Sequence, residues 1–166
     1  MTEDQEFEEF LLLAQGVGFV VVTWAAVERQ FDNWVYTAFH NGGQDMADKG
    51  VIPTSFKKKK KFLRDSFNKL PAFAEFSVRG LKILNDATAV AATRTDFVHG
   101  TLDELVATDG VFHFKRLILG NDKHSVKEFT FNPRSEWPTL EKSLTVLLSE
   151  TANLSGDIAK KILKRQ

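Results

Sequence analysis

Arg94, Thr95, Asp96, Phe97, Val98, His99 and Gly100 bring a cation, a hydroxyl, a carboxylate and an imidazole into one short segment. An imidazole titrates near neutral pH and can carry protons. A guanidinium holds phosphate oxygens through paired, charge-assisted hydrogen bonds. Together these groups could do acid–base work beside a bound anion.

The element that must position them is a long helix, expected from about Phe73 to Val98 and stopped by Gly100. Phe76, Ile83, Ala87, Val90, Ala91 and Phe97 line its apolar face. Arg94 falls on that face, about 20° from Ile83 on a helical wheel. His99 falls about 160° away from Ile83, in the last turn, where the helix dipole favours the protonated ring. It can serve as a cap or as a proton carrier. Asp96 and Thr95, three and four residues before His99, are each within reach of the imidazole. Arg94 and His99 are separated by about 140° of helix. They converge on one ligand only if the arginine reaches around, the helix loosens at Gly100, or a second subunit completes the site.

A second charge breaks a second pattern. Val17, Val20, Trp24, Val27, Phe31, Val35 and Ala38 form one stripe of a helix expected from Val17 to His40, and Glu28 lies beside Val35. Buried charges are rare unless paired. Glu28 and Arg94 are therefore expected to face each other, either as a structural ion pair or with Glu28 orienting an arginine that serves a site.

The other elements follow from punctuation. Gln5 to Ala14 is an acidic helical lead-in, with Gly16 and Gly18 placed to interrupt it. Asn41-Gly42-Gly43 ends the first long helix, with glycine free to take the left-handed cap. Thr54 or Ser55 caps a second helix that runs to about Leu70, before Pro71. Lys57 to Lys61 crowd its first turns; such a run is a solvated face or a phosphate contact. Lys59 and Lys60 carry the phosphate-contact reading, because they lie on the turn between Phe56 and Leu63. Val111 to Leu119 and Lys123 to Phe131 read as a hairpin about Gly120-Asn121-Asp122. His113 and His124 sit on its two strands as a conceivable metal pair without a third ligand. Pro133 and Pro138 bracket the start of a leucine-rich last helix. Trp24 and Trp34 are core or dimer-interface residues.

The fold expected is mainly all-α: an antiparallel bundle of four to five helices, with a small β-hairpin inserted before the last, in a single domain over residues 1–166. Fifteen Phe against one Tyr imply a core of apolar rings that need no hydrogen-bond partner. The absence of cysteine excludes disulfides, Cys-based zinc sites and a cysteine nucleophile. Equal numbers of acidic and basic residues, 22 each, restrict any nucleic-acid binding to a local patch. Gly16-Val17-Gly18 has neither the preceding strand nor the third glycine of a phosphate loop. The acidic opening through Glu9 is unlike a signal peptide. The apolar stretch within Gly16 to Ala26 is shorter than the about 20 residues that span a bilayer. A cytoplasmic location is expected, with no membrane partner and no cofactor or metal.

The pattern R-x-x-x-x-H-G at a helix end resembles the HEPN superfamily, the higher eukaryote and prokaryote nucleotide-binding domains. Thr95 stands where Asn is common in that motif. Trp24-Ala25-Ala26-Val27-Glu28 is similar to the first helix of bacterial HEPN-like proteins, and Phe56 with Lys59 or Lys60 and Leu63 is similar to their second. The resemblance implies a homodimer that binds RNA, with metal-independent cleavage in many members. It implies that His99 moves protons at the ribose 2′-hydroxyl and leaving oxygen, and that Arg94 holds the phosphate. The alternative is a non-catalytic helical module that binds a protein partner, such as a cognate antitoxin or another defence protein.

Overall fold

The computed structural model describes residues 2–106, 110–119 and 124–163. Among these residues the chain is mainly helical, with four α-helices and a small antiparallel sheet placed before the last of them. It divides into two compact units, one from Met1–Trp24 and Val90–Thr145, the other from Ala25–Ala89 and Val146–Gln166.

The first helix, α1, runs unbroken over Glu3–Ala38. The interruption expected at Gly16 and Gly18 does not occur. Gly16 is instead a point of close approach: a Cβ there would come within 3.1 Å of the Trp137 ring. Phe19 meets the same ring edge-on at 5.4 Å. Because α1 is continuous, it is long and apolar enough, by length and composition alone, to cross a membrane. A core helix passes the same test, and 33% of the apolar window is buried. After α1, Gly42 takes φ +98, the left-handed conformation expected of it.

Helix α2 spans Phe56–Lys69. Ser55 caps it by accepting a hydrogen bond from the Lys58 amide at 3.4 Å. A short helical turn, Ala74–Phe76, leads into α3, Ser77–His99. The unit that holds α2 and the first part of α3 has an aromatic core: Phe31 meets Trp34 at 5.1 Å, Trp34 meets Phe67 at 5.8 Å, and Phe67 meets Phe73 at 5.6 Å. The Trp34 indole donates to the Ser155 hydroxyl at 2.6 Å, so this buried ring keeps a polar partner.

The expected hairpin is two strands of three. Strands β1 (Thr101–Val106), β2 (Val111–Leu119) and β3 (His124–Phe131) form a sheet in the order β1-β2-β3. The turn foreseen at Gly120-Asn121-Asp122 lies outside the described residues. Strand β1 had no clean alternation to announce it, and its pairing with β2 shifts register between Leu102 and Glu104. Helix α4, Pro133–Leu163, starts with Pro133 in its first turn and carries Pro138 within it. Its first turn is closed reciprocally. Asn132 accepts from the Ser135 amide at 3.2 Å, and Glu136 accepts from the Asn132 amide at 2.8 Å.

Candidate functional site

The last turns of α3 are held by Phe97, which is buried against the sheet. Its ring lies 4.9 Å from Phe131 and 6.0 Å from Phe114, edge to face in both cases. Phe114 and Phe129 are register partners on β2 and β3, and their rings stack at 4.8 Å. This aromatic platform fixes the rotation of α3 and therefore the directions of Arg94, Asp96 and His99.

Asp96 points to the sheet. Its carboxylate accepts from the Arg116 guanidinium at 2.6 Å and from the Lys127 ammonium at 2.5 Å. Arg116 and Lys127 are cross-strand partners, so two like charges sit side by side with Asp96 between them. Asp96 is thus spent on the sheet rather than on His99. Thr95 is spent as well: its hydroxyl donates to the Ala91 carbonyl at 2.7 Å. The His99 imidazole is exposed and has no hydrogen-bond partner among the described residues.

Arg94 is half-buried, with its Nε enclosed and without a hydrogen-bond partner among the described residues. It forms no ion pair with any described carboxylate. The pairing expected with Glu28 is not what Glu28 shows. Glu28 accepts from the Lys59 ammonium at 3.2 Å, and Asp32 joins the same ammonium at 2.6 Å. Lys59, expected as an RNA contact, is a buried cation with two carboxylate partners, 6% exposed. Burial pulls its pKa down, but hydrogen bonds and charge from Asp32 and Glu28 outweigh that and hold it above the ordinary 10.5. Lys60 donates to the Thr88 hydroxyl at 3.2 Å and stays accessible in part.

The α3 end stays helical to its limit. The Gly100 amide donates to the Asp96 carbonyl at 2.7 Å, so the loosening that would swing His99 toward Arg94 is absent. A Cβ on Gly100 would meet that carbonyl at 2.5 Å and the Phe129 ring at 3.0 Å, which explains glycine there. The Arg94 and His99 side chains therefore leave α3 in different directions. A cavity of about 530 Å³ opens beside the same helix end, lined by Asp96, Phe97, Phe129, Phe131 and Thr139 among others, and neither Arg94 nor His99 lines it.

His113 and His124 do not face each other. His113 pairs with Thr130 and His124 with Leu119, six residues apart along β2. Among the described residues, no group of three or more His, Cys, Asp or Glu side chains could hold a metal ion.

Two polar sites escaped the sequence reading. One is the Asp96–Arg116–Lys127 cluster: the foreseen three-residue turn would set Arg116 opposite Val126, and only the observed register, with Leu119 opposite His124, brings Arg116 beside Lys127, a repulsion that calls for an anion. The other is Glu9, only 5% exposed, whose Oε1 accepts from Arg134 Nε at 2.5 Å. Its signal was its place on the buried stripe of α1 with Leu13, Gly16 and Val20.

Compared with known proteins, the chain matches no family model, no curated protein and no solved structure.

Proposed function

We propose that this chain is a HEPN-like, cytoplasmic RNA-binding protein whose helices form an antiparallel bundle and whose Arg94 and His99 act on the RNA backbone across a homodimer. The observation that carries this reading is the state of Arg94. A half-buried guanidinium with no carboxylate partner among the described residues is poorly accounted for as a structural ion pair. It is well suited to an anion supplied from outside.

The chemistry needs no metal. A His99 imidazole takes the proton from a ribose 2′-hydroxyl, whose oxygen attacks the adjacent phosphorus. The bond from phosphorus to the 5′-oxygen breaks, leaving a 2′,3′-cyclic phosphate, and a protonated imidazole returns a proton to the leaving oxygen. Arg94 holds the non-bridging oxygens as their charge develops. The helix puts about 140° between Arg94 and His99 of one chain. Since the helix does not loosen at Gly100, two copies sharing one cleft meet the requirement best.

A second reading has its own support. His99 lacks an orienting partner, because Thr95 and Asp96 are both occupied elsewhere. That favours a non-catalytic module that binds RNA or a protein such as an antitoxin.

Cleavage of a mixed RNA substrate in chelator separates the two. Wild type should cleave, with His99→Ala and Arg94→Ala slower by about 10²–10⁴-fold. Cleavage that persists in His99→Ala removes His99 from the mechanism. Absence of wild-type cleavage, with RNA binding lost in Arg94→Ala, selects the non-catalytic RNA-binding form.

A further inference from the structure

Helix α1 has a face that the chain itself does not cover. Phe7, Leu11, Ala14, Gly18, Val21 and Val22 all lie within about 60° of one line along it, and all are exposed. Phe7 is 62% exposed and Val22 71%. A soluble surface helix ordinarily turns such a stripe inward and keeps polar residues outside.

Gly18 sharpens the point. Glycine weakens a helix interior, so it needs a reason. Gly16 has one, the Trp137 ring 3.1 Å from where its Cβ would stand. At Gly18 a Cβ would meet nothing within 4 Å. Nothing in the fold requires a glycine there, whereas a backbone approaching from outside would.

The charges on α1 choose the occupant and its direction. Glu3, Asp4 and Glu6 open the helix, and Arg29 lies on the same line farther along it. Neither Glu3 nor Arg29 has an ion pair among the described residues, and both are exposed. A parallel neighbour would stack acidic ends together. An antiparallel copy of the same helix brings acid to base.

We propose that this face of α1 packs antiparallel against the same face of a second copy, about a two-fold axis midway between Ala14 and Gly18. That register sets Ala14 level with Gly18 of the second copy, Leu11 with its Val21, and Glu3 with its Arg29. Small residues meet small at the centre, where the backbones come closest, larger apolar side chains flank them, and opposite charges close both ends. Each contact occurs twice, as an isologous interface requires. The interface does not depend on whether the chain touches RNA.

Light scattering and sedimentation of the full chain at micromolar concentration, without detergent, test this. The wild type should be a dimer. Gly18→Leu fills space that is open in the single chain, so helix content and Tm should be kept while the dimer weakens about tenfold or more. Val22→Lys should act alike and stands in should Gly18→Leu misfold. Arg29→Glu should weaken the dimer, and combining it with Glu3→Arg should restore it. A wild type that stays monomeric, a Gly18→Leu variant that is folded and dimerises as wild type, or a charge swap that restores nothing overturns the proposal. A monomeric wild type that floats with phosphatidylcholine vesicles overturns it in favour of a lipid-facing stripe.

Discussion

Lys59 and Arg94 are the same kind of anomaly with opposite resolutions. Each is a cation on the apolar side of a helix. Lys59 is buried with Glu28 and Asp32 around its ammonium. Arg94 is half-buried with an orphaned Nε. A charge that the fold answers with its own carboxylates belongs to the fold. A charge that it leaves unanswered retains free energy for a ligand, because an incoming anion supplies the partner that folding did not.

Substitution can break this contrast. The largest effect is expected at Lys59. Lys59→Met leaves Glu28 and Asp32 facing each other without a cation. Both carboxylates are partly solvated, so the loss should be about 2–3 kcal/mol, below that of a fully buried pair. Urea unfolding measures it, and a loss under about 0.5 kcal/mol, the range of ordinary surface changes, would mean that the ion pairs are not structural. Next comes Asp96→Asn, which removes the anion between Arg116 and Lys127. A loss of about 1–2 kcal/mol is expected. Screening the half-buried Arg116 and the exposed Lys127 with salt should recover part of it; no salt dependence would count against repulsion as the cause.

Arg94→Met should behave in the opposite sense to Lys59→Met. Removing an unpartnered buried Nε should leave stability within about 1 kcal/mol of wild type, neutral or slightly raised, while RNA affinity falls. A large loss of stability with RNA affinity intact would make Arg94 a structural residue and dissolve the contrast. The smallest effect is with pH. The pKa of Lys59 is raised in the folded state above 10.5. The stability linked to its charge is therefore fully present below the unfolded pKa and is lost as pH rises through the higher folded value. The Tm difference between wild type and Lys59→Met should hold below the ordinary lysine value of 10.5 and narrow as pH rises above it. A gap that widens instead would mean that Lys59 is not charged in the folded chain.

Much of the secondary structure was legible because its causes are local. The stripe from Val20 to Ala38, the Ser55 cap, the left-handed Gly42, the stop at Gly100 and the two strands on either side of residues 120–122 follow from periodicity and turn chemistry. Strand β1 was missed because Asp103 and Glu104 break its alternation where its register also shifts. Gly16 was misread because a helix-breaking signal and a close-packing signal look alike until Trp137 is in place.

At the candidate site the sequence by itself determined the cast: an arginine on an apolar face, a histidine about 140° away near the helix end, and a carboxylate between them. It also showed that Glu28 needed a cation. Only the tertiary structure decided the partners. Glu28 found Lys59, 31 residues away, and Asp96 found Arg116 and Lys127. The reason is physical: helical period is set by neighbours within a turn, whereas an ion pair is set by which distant elements the core packs together. Arg94 is a candidate by sequence, but that its buried Nε lacks a hydrogen-bond partner among the described residues is visible only in the folded chain.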